Sequence, residues 1–169
     1  MDIPAMIKTA RKVSTPLIAV TTADPPATVG RIVRAYREDK NPPPLLQWDL
    51  IRGVVPLNDA GKPARDAILP DGAGDLPGGP LQSPAEALAA LENLPTRTIV
   101  FLHGANRIID NEAVIQAICN LRDTFKSNGR TAILLAAQMV LPPELVQDVY
   151  VIDEPLPTES EVEAVIRQE

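Results

Sequence analysis

Two stretches decide the fold: Thr98-Ile99-Val100-Phe101-Leu102 and Thr131-Ala132-Ile133-Leu134-Leu135-Ala136. Each is a short apolar run without polar alternation, the pattern of a strand covered on both faces. Between them, Asn111–Lys126 carries Val114, Ile115, Ile118, Leu121 and Phe125 at helical spacing. Asp110 is predicted to cap that helix, and Asn128-Gly129 to stop it. Strand, helix and strand in this order predict a parallel crossover unit.

The same alternation continues outward in both directions. Upstream, Asp2 and Pro4 start a helix to about Lys12 that buries Ile3, Met6, Ile7 and Ala10. Leu17–Thr21 reads as a buried strand. Asp24-Pro25-Pro26 caps and opens a helix through Asp39, with Val29, Ile32, Val33 and Tyr36 on one face. Asn41-Pro42-Pro43-Pro44 ends it, and Leu45–Leu50 is the next strand. Ser83-Pro84-Ala85-Glu86 has the form of a capping box, in which the serine oxygen and the glutamate satisfy each other's backbone amides. Downstream, Pro142-Pro143-Glu144-Leu145 starts a helical turn, and Val149–Ile152 is a last strand. Thr158-Glu159-Ser160-Glu161 is a second capping box. The expectation is therefore a three-layer αβα domain on a five-stranded, mostly parallel sheet, spanning residues 1–169.

The region from Gly53 to Ser83 interrupts this order. It holds six of the nine glycines, and Pro42–Pro84 holds nine of the 18 prolines. Asn58-Asp59-Ala60-Gly61 is predicted to turn a small hairpin between Val54-Val55 and Ala67–Leu69. Asp71–Pro80 is turn-rich and reads as mobile. So long an irregular insertion in a compact domain marks function or disorder.

Composition narrows the function. Hydrophobic residues make up 45% and charged residues 22%, ordinary values for one globular domain. A net charge of −6 argues against a nucleic-acid binder driven by phosphate contacts. Aromatics at 3% leave no stacking platform for single strands. A lone Cys119 excludes an internal disulfide and a multi-cysteine zinc site, and a lone His103 excludes a multi-histidine site. No apolar run approaches the ~18 residues of a membrane span. The N-terminus lacks the basic and apolar pattern of a secretory leader, so a cytoplasmic setting is expected.

A parallel sheet binds ligands beyond the carboxyl ends of its strands, so the loops after Thr21, Asp49, Leu102 and Ala136 are the places to search. The phosphate-binding motif G-x-x-x-x-G-K-[ST] is absent from the chain. Its nearest frame is Pro25-Pro26-Ala27-Thr28-Val29-Gly30-Arg31-Ile32, where only Gly30 matches and arginine replaces lysine. Proline at the first position removes a backbone donor, and isoleucine at the last removes the magnesium-binding hydroxyl. An amphipathic helix with an exposed Arg31 is the favoured reading over a cryptic phosphate site. After Thr98–Leu102 comes His103-Gly104-Ala105-Asn106, with no acidic pair for metal and water activation. Gln138 follows Ala136, where a polar side chain would touch a γ-phosphate. Asp49 reads as a turn residue before a ligand, and Cys119 as an inert core thiol.

The ordered set of segments resembles the N-terminal, degenerate ATPase-like domain of a family of AAA ATPases of bacteria and plastids. The stretches that carry the resemblance are Pro16–Thr21, Gln47-Trp48-Asp49-Leu50 with Gly53-Val54, Thr98–Leu102 and Thr131–Leu135. The most specific is Leu141-Pro142-Pro143-Glu144-Leu145, with Val149–Asp153 and Pro155-Leu156-Pro157-Thr158 after it. It covers about Thr15 to Gln168. The resemblance implies a P-loop-NTPase-like core without a phosphate loop, followed by an intact AAA domain that takes ATP and magnesium. The chain departs from that pattern in its enlarged Asn58–Ser83 segment and in stopping at Glu169, which reads as an expressed fragment or a separately encoded remnant. No catalytic residue carries over.

The leading expectation is a non-catalytic regulatory and protein-interaction domain. Its partners would be a downstream AAA domain and a protein client, within a parent that forms ring-shaped homo-oligomers, without nucleic acid or membrane. The alternative is an unconventional nucleotide site built from Arg31, Asp49 and Gln138. A small hydrolase centred on His103 ranks last. The long loop, tested by deleting Asp71–Gly79, is the candidate contact surface.

Overall fold

The computed structural model describes residues 2–71, 81–156 and 158–168. Helix α1 (Ile3–Lys12) opens on Asp2, whose carboxylate accepts from the Ala5 amide at 3.2 Å. Strand β1 (Leu17–Thr21) leads into α2 (Pro25–Arg37). Asp24 caps α2 by accepting from Ala27 N at 3.1 Å, and the prolines occupy the first turn, where a missing amide costs nothing. A hairpin of β2 (Leu45–Asp49) and β3 (Gly53–Pro56) follows, then α3 (Gly61–Ile68) and α4 (Pro84–Leu91). The chain continues through β4 (Ile99–His103), a short α5 (Ala105–Ile108), α6 (Glu112–Lys126) and β5 (Thr131–Ala136). It closes with β6 (Tyr150–Asp153) and α7 (Glu159–Gln168).

The strands form one sheet in the order β3-β2-β4-β5-β1-β6. Only the β2–β3 pair is antiparallel. Strand β1 lies at the centre of the later half, with Ile18 opposite Ile133 on one side and Tyr150 on the other. Alternate residues divide the core in two. Ile18, Val20, Phe101, Ile133 and Leu135 pack under α1 and α2. Leu17, Ala19, Trp48, Val100, Leu102 and Leu134 pack under α3, α4 and α6. This is the expected αβα sandwich, with both faces of the central strands fully buried.

Four local expectations need correction. The sheet has six strands rather than five, because Gly53–Pro56 pairs with β2. The hairpin therefore turns at Asp49–Gly53, and Ala67 lies in α3 instead of a partner strand. Asp49 makes that turn by accepting from Ile51 N at 2.9 Å and Arg52 N at 2.8 Å, and Gly53 takes the left-handed backbone that ends it (φ 69°). Asn58 does not turn a hairpin; its amide oxygen accepts from Leu45 N and Gly61 N and fastens α3 to β2. Gly61 passes so close to Leu45 that a Cβ would stand 2.4 Å from its carbonyl oxygen. At the helix starts, Asn111 rather than Asp110 caps α6, and Ser83 makes no side-chain capping bond. The Thr158–Glu161 capping box forms as read, with Glu161 accepting from Thr158 N at 2.7 Å. The Asp71–Pro80 segment lies outside the described residues except for Asp71.

Two arginines tie down the amino end of the sheet. Arg11 of α1 donates to the Arg97 and Gly129 carbonyls and to Thr131. Arg130, only 4% exposed, donates to the carbonyls of Glu92, Leu94 and Thr124, where α4 and α6 end. Its guanidinium also stacks on Phe125 at 4.8 Å.

Candidate functional site

The carboxyl ends of β1, β2, β4, β5 and β6 all reach one edge of the sandwich, and α2 starts there directly after β1. Its two flanks bound two different cavities.

The first flank faces β6. Thr22 and Thr28 are buried, and their hydroxyls lie 2.8 Å apart. The Thr28 hydroxyl is also 2.8 Å from Glu154 Oε2 and 3.1 Å from the Asp24 carbonyl. Arg31 donates to Thr28 and forms an ion pair with Glu154. Glu154 is placed here by the sheet: its amide donates to the Thr21 carbonyl at 2.8 Å, one step past the β1–β6 register. Burial alone would raise the Glu154 carboxyl. The hydrogen bonds from Thr22, Arg31 and Thr28, together with the Arg31 charge, outweigh it and hold the group below its ordinary 4.5. The corner therefore contains its own anion. The cavity left beside it is about 410 Å³ and is edged by Pro155, Leu156 and Glu161.

This donor set does not suit a nucleotide polyphosphate with magnesium. Phosphate sites at helix N-termini rely on free backbone amides. Here Pro25 and Pro26 have none, Asp24 takes the Ala27 amide, and the Glu154 and Asp24 carboxylates would face the phosphates.

The second flank of α2 faces the ends of β2 and β4 across a groove of about 680 Å³. Val29, Val33 and Leu57 supply its apolar wall, and Gln47 and His103 its polar floor. Alternation along β2 and β4 puts Gln47, Asp49 and His103 on this face of the sheet. His103 Nε2 lies 3.0 Å from Gln47 Oε1. Burial lowers the His103 pKa below 6.5; nearby Asp49 pulls it back up and Arg52 pushes it further down. Arg34, Arg37 and Arg52 form the rim, and of these three guanidinium groups the Asp49 carboxylate pairs with that of Arg52, at 3.6 Å.

The residues singled out in the sequence do not converge. Arg31 lines the first cavity, Asp49 and His103 line the second, and Gln138 is exposed beyond β5 and lines neither. Asp49 serves the hairpin turn. Cys119 is half-buried and packs against the α6 side of the core. His103 has a glutamine for its neighbour and no nucleophile among its hydrogen-bond partners. Glu154, Thr22, Thr28 and the arginine rim escaped the sequence reading. Glu154 would have been found from one further inference: it directly follows the strand paired with β1, beside the loop where a phosphate would sit. Among the described residues, no three His, Cys, Asp or Glu side chains are grouped to hold a metal ion. No helix among them is long and apolar enough to cross a membrane.

The sequence matches the family described as SpoVK-like AAA ATPase, N-terminal domain, over residues 6–154. No curated protein matches the chain. The matched span runs from α1 to Glu154 and so takes in the whole sheet and the self-filled corner beside β1. With its parallel αβα core and that match over most of its length, this chain belongs to the family of N-terminal domains of SpoVK-like AAA ATPases.

Proposed function

We propose that this chain is a non-catalytic regulatory and protein-interaction domain of an AAA ATPase. The observation that carries the reading is the β1–α2 corner, where prolines remove amide donors and the chain's own Glu154 carboxylate takes the anion's place. In this reading ATP and magnesium are handled by a downstream AAA domain with an intact phosphate loop. The domain described here contributes surface: it contacts that neighbour and a protein client in the cytoplasm, within a ring-forming parent.

The test is direct. Magnesium and ATP at millimolar concentration are expected to leave the melting temperature unchanged and to be returned unhydrolysed. A thermal shift that disappears in Arg31→Ala would overturn the reading and favour the nucleotide site built from Arg31, Asp49 and Gln138. Hydrolysis lost in His103→Ala would overturn it in favour of a hydrolase. The coding sequence after Glu169 bears on the parent: an AAA domain with a complete phosphate loop is expected there.

A further inference from the structure

We propose that the groove between α2 and the ends of β2 and β4 is a docking site for an acidic peptide segment of a partner protein. The proposal rests on the protein-interaction reading and names its surface and the class of partner.

Three observations carry it. The first is charge. In a chain of net charge −6, Arg34, Arg37 and Arg52 gather on one rim with a single carboxylate among the described residues, Asp49, which pairs with Arg52 and leaves Arg34 and Arg37 as the surplus charge. Arg34 and Arg37 stand one helical turn apart, and among the described residues neither has a hydrogen-bond or ion-pair partner. Most other arginines of the structure are engaged: Arg11 and Arg130 on carbonyls, Arg31 and Arg122 on carboxylates. Exposed guanidinium groups suit carboxylates, which they bind in a planar, two-pronged geometry.

The second is Gly30. It lies in the interior of α2, where glycine is unfavourable relative to alanine. Nothing among the described residues demands it: a Cβ built there meets no atom of theirs within 4 Å, and the backbone is not left-handed. Gly30 lines the groove. The missing side chain leaves room on the groove wall for a neighbour from outside.

The third is the floor, which selects a peptide over a phosphorylated small molecule. It combines apolar side chains with the neutral Gln47–His103 pair, and it runs along the flank of α2 rather than at its start. Phosphate sites draw instead on the free amides of a helix start. An acidic segment with interspersed aliphatic residues satisfies the rim with its carboxylates and the wall with its methyl groups.

The experiment measures fluorescence anisotropy of a fluorescein-labelled peptide of alternating glutamate and leucine against the 169-residue chain. Wild type is expected to bind it, less tightly as salt rises, and to ignore the matching lysine–leucine peptide. Arg34→Glu/Arg37→Glu should weaken binding by about tenfold or more, the loss of roughly one close charge pair. Gly30→Gln should also weaken it while the melting temperature holds or rises, which separates a filled groove from a damaged fold. Failure of wild type to bind, or equal binding by both variants, would overturn the proposal. So would displacement of the peptide by inorganic phosphate or ATP, which assigns the groove to a phosphate ligand. Displacement by a peptide of residues 158–168 would assign it to the chain's own acidic helix and overturn the partner. Because the interaction-domain reading stands or falls on ATP binding and hydrolysis, absent or variant-insensitive peptide binding removes the groove and leaves that reading untouched, whereas displacement by ATP counts against both.

Discussion

Arg31 and Arg34 stand one turn apart on the same helix and meet opposite conditions. Arg31 looks toward β6 and finds Glu154, fixed there by the pairing of β6 with β1. Arg34 looks toward β2 and β4 across an open groove whose lining carboxylate, Asp49, pairs with Arg52 and leaves Arg34 without an ion-pair partner among the described residues. The first flank is closed upon itself by threonine hydroxyls and an ion pair. The second is left with charge and volume to spare. A helix that starts at the functional edge of a parallel sheet ordinarily turns its first amides to a ligand. In this chain the start of α2 is internally satisfied, and the proposed docking surface lies on the other flank of the helix.

The largest effect is expected from breaking the closed flank. Glu154→Lys sets a cation against Arg31 and strips Thr22 and Thr28 of their acceptor, so it should destabilise the fold by about 2 kcal/mol. For a chain of this length that is a drop of roughly 4–8 °C in melting temperature, readable by calorimetry. Acid is the milder form of the same break. The Glu154 carboxyl titrates lower in the folded protein than in the unfolded chain. Its contribution is thus present above the unfolded value and is lost as pH falls through the folded one. Wild type should lose more stability than Glu154→Gln when urea unfolding is repeated from pH 6 down to about pH 3. Thr28→Val keeps the shape and removes the hydroxyl, at about 1 kcal/mol in the same assay.

The open flank should respond with the opposite sign or not at all. Gly30→Ala is expected to stabilise α2 by up to about 1 kcal/mol, because the added methyl meets nothing and the helix gains propensity. Arg34→Ala should change stability by less than about 0.5 kcal/mol, as for an exposed side chain without a partner. Equal destabilisation from Arg34→Ala and Glu154→Lys would erase the distinction between the two flanks.

What the sequence disclosed follows the range of the interactions involved. Asp24-Pro25-Pro26 announces its helix because cap and first turn are three residues apart, and the apolar runs of β1, β4 and β5 announce buried strands. The hairpin at Asp49–Gly53 was hidden because Leu50 and Ile51 look like strand residues; both are exposed, and the turn is made by the Asp49 carboxylate. Helix α3 is hard to read where glycine and proline dominate, since Asn58 ahead of it is held to Leu45 of β2 and to the Pro43 carbonyl before β2 by bonds 13 and 15 residues distant. The closed corner was least legible. Arg31 and Glu154 are 123 residues apart, and only the strand order brings them together.

That strand order also sets a timetable for the nascent chain. Strand β1 is made early, but both of its neighbours, β5 and β6, follow it by about 110 residues or more. Translation at about 5–20 residues per second leaves β1 without its partners for roughly 5 to 20 s. During that interval a strand apolar from Leu17 to Val20 must be shielded by α1 and α2 alone, or by the ribosome and its attendant chaperones. The sheet can be completed only when β6 arrives beside β1. The same late step delivers Glu154 to Arg31 and locks the domain's first loop.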